Sequence, residues 1–150
     1  MSYISELRKL VGHRPLVASA AMCIIYDETN KTLLFEKRTD NGTWCVPGGA
    51  LELGETIEEG LAREVKEETN LDFTDPELFR VKANVHMKYP NGDEVYYTDI
   101  VYIIRKFSGE LKHDAESSEL KWFPIDALPD NIIETQSEYI TEFVKGIKAV

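Results

Sequence analysis

Apolar and polar positions divide the chain into segments of two different periods. Ile4, Leu7, Leu10 and Val11 recur at helical spacing and Gly12 supplies a stop, so a short leading helix is expected. Residues 16–26 form a nearly continuous apolar run, the pattern of a strand buried on both faces. Asp27-Glu28-Thr29-Asn30 reads as a turn, and residues 32–37 as a returning strand. Residues 39–43 form a polar loop carrying Asn41-Gly42. Residues 79–89 alternate: Phe79, Val81, Ala83, Val85, Met87 and Tyr89 are expected on one face, and Arg80, Lys82, Asn84, His86 and Lys88 on the other. Asn91-Gly92 is a hairpin signal, with residues 95–107 as the partner strand. Residues 120–123 make a short strand that ends at Pro124. Thr135 and Glu138 have capping-box spacing, and Ile140, Phe143, Val144 and Ile147 mark a closing amphipathic helix. No repeat or linker interrupts the pattern, so one domain over residues 1–150 is expected. Strands mixed with two or three helices, one of them between strands, predict an α/β or α+β sandwich.

One segment breaks the helical rule. Thr56 and Glu59 form a capping box, which places the first helical residue at Ile57. At about 100° per residue, Ile57, Leu61 and Val65 make an apolar stripe. Glu64 and Glu68 fall inside or beside that stripe, with Glu67 next to them and Gly60 between. Glu58, Glu59 and Lys66 point into water. The helix is expected to end at Thr69, with Asn70 in the left-handed conformation and Leu71 folding back. Unpaired, half-buried carboxylates one turn apart repel, and at least one would take up a proton. A divalent cation removes that conflict. Mg²⁺ prefers oxygen ligands and combines a few carboxylates with waters and substrate phosphates.

Gly49, five residues, Glu55, seven residues, then Arg63-Glu64-Val65-x-Glu67-Glu68-x-x-Leu71 resembles the Nudix box of the Nudix (MutT-type) hydrolases. The match spans 23 residues and departs once, at Asn70, where glycine is usual. The preceding Trp44-Cys45-Val46-Pro47-Gly48-Gly49 is similar to the family's approach to the box. The resemblance implies the Nudix fold, a mixed β-sheet sandwiched between α-helices, within the α/β class. It implies hydrolysis of a nucleoside diphosphate linked to another moiety, with Mg²⁺ as cofactor and Mn²⁺ as its substitute. Carried over residue by residue, it gives Glu64, Glu67, Glu68 and the Gly49 carbonyl as metal ligands. It gives Glu55 and Arg63 as catalytic residues, Glu55 on the loop, completing the metal shell or anchoring the loop, and Arg63 on the helix, chiefly as a support that holds the loop by pairing with a glutamate. The family often takes a general base from a late loop; Glu116 and Glu119 are the candidates here, and Asp114 a weaker one.

Other chemistry is thinner. Arg38 ends the second strand near Pro47-Gly48-Gly49 and is a candidate phosphate contact; Tyr89, on the hairpin, is a second substrate-binding candidate. Trp44 and Trp122 read as packing residues, with the lining of a base pocket as the alternative for either. His13, His86 and His113 lack ligand or triad spacing. Cys23 and Cys45 have neither metal-site nor secreted-framework spacing.

The net charge of −10 argues against a nucleic-acid polymer as partner. Seven Glu against Arg63 and Lys66 place half of that surplus in residues 52–68. A bound cation inverts the local balance, so an anionic nucleotide is still admitted. An apolar content of 43% without a membrane-length run, and a start without signal-peptide order, predict a cytoplasmic protein with no membrane partner. The leading helix and the apolar hairpin offer surfaces for a homodimer. A nucleotide-sensing module without turnover is the alternative to an enzyme. Such a module usually lacks the acids, and Glu55, Glu64, Glu67 and Glu68 are all present.

Overall fold

Residues Leu16–Asp27 form β1, the strand on which the rest of the molecule is assembled. In the computed structural model, which describes residues 2–150, its side chains alternate between two cores. Ala21, Cys23 and Ile25 face one core; Ile24 and Tyr26 face the other. That double burial is why the run is continuous rather than alternating.

The elements follow in chain order. α1 is Tyr3–Val11, β2 Thr32–Arg38, β3 Trp44–Cys45, β4 Gly48–Ala50 and α2 Ile57–Thr69. β5 is Asp72–Thr74, β6 Glu77–Lys88, β7 Glu94–Ile104, β8 Lys106–Ser108, β9 Ser117–Pro124 and α3 Glu134–Lys148. β7 runs parallel to β1, from Leu16↔Val95 to Ile25↔Ile104, and β6 pairs antiparallel with β7. On its other side β1 is shared. β4 pairs with it at residues 20–22, and β2 only at Tyr26 and Asp27. β2 in turn carries β3 and β9. β5 and β8 form a separate two-stranded ribbon. The sheet is therefore mixed, and it parts between β4 and β2.

α2 covers one face of the sheet with Leu61 and Val65, against Cys23, Ile25, Leu34 and Ile104. α3 covers the other with Tyr139, Ile140, Phe143 and Val144, against Ile24, Tyr26, Phe35 and Val101. Each fully buried aliphatic side chain contributes about 1.5–3 kcal/mol. The expected α/β sandwich is the one observed. No described helix is long and apolar enough to cross a membrane.

Four expectations are corrected. β6 does not alternate from end to end, because bulges at residues 78–80 and 82–85 reset its register against β7. Asn84 adopts φ 60° in the second bulge. Val81 is 58% exposed, whereas Arg80 and Lys82 reach Glu142 and Glu138 of α3. Thr135 does not cap α3: the helix starts at Glu134 after Ile133, without a side-chain cap, and Thr135 is already helical. The strand drawn from 95 to 107 is two, interrupted at Arg105. Ile57 is exposed, so the α2 stripe narrows to Leu61 and Val65. The short elements β3, β4, β5 and β8 carry too few residues to show a period.

The ends of α2 follow the sequence. Thr56 and Glu59 cap each other's backbone, and Asn70 closes the helix at φ 67°, ψ 10°. Asn70 also donates Nδ2 to the Glu110 carbonyl at 2.9 Å. Asn70→Ala meets the left-handed penalty and loses that bond, so it is expected to cost about 2 kcal/mol in chemical denaturation. Asn70→Gly removes only the bond and should cost about half as much. Equal costs for the two would refute the backbone argument.

Candidate active site

Where β4 and β2 diverge, a cleft of about 850 Å³ opens above Gly48, Gly49 and Ala50. α2 points Glu64 and Glu68 into it, α1 borders it with Arg8, the β6–β7 hairpin with Tyr89, and the loop before β9 with Glu116. α1 is anchored across its edge by Arg8 Nη2, which donates to the Glu94 carbonyl at 2.8 Å. The Tyr3 amide donates to Glu52 at 2.8 Å.

The two helix acids differ in support. Glu68 is 5% exposed, and its Oε2 accepts from the Gly48 amide at 2.9 Å. Burial pushes its carboxyl well above the usual range, and the charges of Glu36 and Glu64 push the same way. Glu64 is raised by burial too, but Arg63 offsets part of this, with Nη1 at 2.9 Å from Oε1. Gly49 lies so close that a Cβ there would stand 2.6 Å from the Glu64 carboxyl. Glu67 is more open, 3.5 Å from Arg63.

Arg63 ties the approach loop to the helix. Its guanidinium donates to Glu55 at 2.7 and 3.0 Å and to the Ala50 carbonyl at 3.2 Å. These bonds hold the Glu55 carboxyl below its ordinary range. Glu55 also accepts from the Glu52 amide at 2.7 Å. Gly60 admits this arrangement: a Cβ there would meet Leu51 at 2.5 Å and Glu55 at 2.9 Å.

Arg38 lines the cleft but is already engaged by Asp40, at 2.9 and 2.6 Å. Tyr89 lines it with its hydroxyl 3.0 Å from that of Tyr97. The two late-loop acids separate. Glu116 borders the cleft and raises Glu64 and Glu36 through its charge. Glu119 lies on β9 opposite Lys37, outside the cleft wall. Trp44 packs edge-on against Phe123, and Trp122 stacks on Phe107. Both cysteines are buried thiols.

Two residues escaped the sequence reading. Gln136 of α3, buried, accepts from the Val46 amide at 2.8 Å and so fixes the strand that leads into Gly48-Gly49. Glu36 is 8% exposed, takes the Cys45 thiol at 3.5 Å, and leaves Oε2 without a partner. Its signal lay in the alternation of β2, where Glu36 shares the face of buried Leu34.

Burial pushes Glu36 up to about 8, with the charges of Asp114 and Glu116 adding to this. The unfolded chain ionises it near 4.5, so the folded state holds the extra proton between those values. Stability then falls as pH rises from about 4.5 to 8. Glu36→Gln cannot ionise. The metal-free variant is expected to melt several degrees above the parent at pH 8, with the gap closing toward pH 4.5. A melting difference independent of pH would contradict this.

The donor set suits a hard divalent cation: oxygen ligands, with buried Glu68 and half-buried Glu64 repelling each other and Arg63 bonded to Glu64 as a countercharge. Among the described residues no three His, Cys, Asp or Glu groups stand close enough to hold an ion alone. Such a site leaves coordination positions for water and phosphate oxygen.

Residues 16–143 match the NUDIX domain model. The chain is 35% identical over 107 residues to an ADP-ribose pyrophosphatase of Methanocaldococcus jannaschii, covering 70% of this chain and 61% of that one. It is 30% identical over 144 residues to a MutT-like protein of Streptomyces ambofaciens, covering 96% and 87%. The crystal structure of a MutT NUDIX hydrolase from Burkholderia pseudomallei superposes with a TM-score of 0.71 at 25% identity, covering 85% of this chain and 97% of that one. The matched segment thus spans about three fifths of the Methanocaldococcus enzyme's length. With the model matched over most of its length and the box acids gathered on one turn of α2, this chain belongs to the NUDIX family.

Proposed function

We propose that the protein is a Mg²⁺-dependent pyrophosphohydrolase that cleaves the diphosphate of a nucleoside diphosphate linked to another moiety. The observation that carries this reading is buried Glu68 with half-buried Glu64 on one turn of α2, against the Gly48-Gly49 floor of an open cleft. Glu64, Glu67, Glu68 and the Gly49 carbonyl are the residues that would hold the ion, with Mn²⁺ as a substitute. When bound, Mg²⁺ neutralises charge on the diphosphate and lowers the pKa of a water for attack at phosphorus.

The chain's own residues do the rest. Arg63 and Glu55 fix the loop over α2, so Glu64 is presented in one position. Gly48 donates its amide to Glu68 and keeps that carboxylate aimed at the cleft. Glu116, on the cleft wall, is the residue we assign to accept the water's proton. Arg38 contacts a phosphate of the substrate, and Tyr89 contacts the substrate from the hairpin. Arg38 does so with Asp40 already on its guanidinium, so it acts as an oriented and partly neutralised donor.

The names of the relatives support a diphosphate substrate, and the anionic surface fits a small nucleotide better than a polymer. A homodimer in the cytoplasm belongs to the same reading, with α1, whose Leu10 is 84% exposed, at the interface; sedimentation decides it. The deciding experiment is a panel of nucleoside diphosphate derivatives with Mg²⁺ and with Mn²⁺. Metal-dependent release of a nucleoside monophosphate is expected. Binding without turnover of any compound would make the protein a sensor.

A further inference from the structure

Asp99 takes no part in the site described above, yet it is the least explained acid in the molecule. It lies in the middle of β7, opposite Ala20 of β1 and Lys82 of β6. It is 5% exposed, and no described group donates a hydrogen bond to it. The Lys82 charge acts on it, but the Lys82 ammonium is drawn to Glu138 of α3 at 3.4 Å. Asp99 opens onto a recess of about 90 Å³, walled also by Met87, Tyr89, Tyr97, Thr135 and Gln136. This recess shares Arg38 and Gly48–Ala50 with the main cleft, so the two are continuous. A ligand with its diphosphate over Gly48-Gly49 can place its next group here. Met87 and Tyr89 offer a thioether and a ring to a flat heterocycle.

We propose that the recess receives the nucleobase, and that Asp99 reads a base edge with two adjacent N–H donors, the pattern of guanine N1–H and N2–H. This rests on the nucleotide reading of the main cleft. An ionised carboxylate offers acceptors only and pairs best with two parallel donors. Adenine and cytosine set a ring acceptor beside their amino group. Uracil sets a carbonyl on each side of its single N–H. Each of these would place an acceptor against a buried carboxylate oxygen, which is unfavourable. Hypoxanthine keeps N1–H but has a C–H where guanine has its amino group, so it leaves one carboxylate oxygen without a hydrogen bond. Burial raises Asp99 to about 6, so it is mainly ionised above neutrality and remains acceptor-only. An Asp99 serving only the fold, for example toward the buried, unpartnered Tyr139 hydroxyl, would affect stability without affecting base preference.

The test is calorimetric binding, at pH 7.5 with Mg²⁺, of the α,β-methylene diphosphates of guanosine and inosine. These differ only in the 2-amino group and cannot be cleaved at the bridge. The protein is expected to bind the guanosine compound about tenfold more tightly. Asp99→Asn should bring the ratio to about one, and Asp99→Ser should do the same if the asparagine variant folds poorly. A ratio near one in the parent protein, or a preference that survives in a folded variant, overturns the proposal. Turnover of the substrate panel with no guanosine preference would sink this subsite and leave the hydrolase standing. A guanosine preference dependent on Asp99 without any turnover would support the subsite and sink the hydrolase.

Discussion

Glu68→Gln is expected to lower turnover about 10³-fold while leaving the fold intact. The substitution keeps the shape and keeps an acceptor for the Gly48 amide. It removes a carboxylate that is only 5% exposed at the cleft floor. Charge stabilisation by an ion at a phosphoryl centre is worth several kcal/mol, and about 4 kcal/mol corresponds to 10³ in rate. Burying a neutral amide is easier than burying a carboxylate, so without metal the variant should melt no lower than the parent. Adding Mg²⁺ should raise the melting temperature of the parent and shift the variant much less. Glu64→Gln should behave alike in turnover, though it also frees Arg63 Nη1. Undiminished turnover in both variants would remove these residues from the chemistry. A collapse of the fold in Glu68→Gln would instead assign Glu68 a structural role.

Two neighbouring glycines are expected to fail in different ways when replaced by alanine. A Cβ on Gly49 would stand 2.6 Å from the Glu64 Cδ and Oε1, the flexible end of a side chain. Glu64 can swing away, so the fold survives, but a proposed ligand is displaced by about 1 Å. Misplacement of that size costs about 10²-fold in rate. A Cβ on Gly48 would stand 2.4 Å from the Ala21 carbonyl and 2.7 Å from the Met22 Cα, in a backbone at φ 151°. That contact is with the strand on which the sheet is built, and it cannot be relieved locally. Gly48→Ala should therefore lower the melting temperature sharply, whereas Gly49→Ala should lower kcat and Mg²⁺ affinity with little loss of stability. The pair is read by thermal melting beside steady-state kinetics. Equal melting losses in both would show that the proximity of Gly49 to Glu64 is incidental.

Much of this molecule was legible along the chain wherever one element buries one face. Leu61 and Val65 fixed the inward side of α2, the Thr56–Glu59 box its start, and Asn70 its end. The run at residues 16–26 announced a strand with a core on each side, because every second residue meets a different helix. The box acids were legible for the same reason, since a helix with a known inward face says which carboxylates must leave water. The errors in β6 came where position depends on a partner strand. The bulges of β6 moved Val81 outward and Arg80 and Lys82 toward α3, because register is set between strands and not along one.

The sequence by itself determined the α/β layering and the group of acids on α2, because helical period and capping are local properties. Only the tertiary structure brought Glu36, Gln136 and Asp99 to the cleft and its recess, set Glu116 at the wall, and left Glu119 outside. Those placements arise where β1 parts from β2 to admit β4 and where β7 lies parallel beside it. Contacts between residues tens of positions apart depend on how strands pair in space, and no local pattern encodes that.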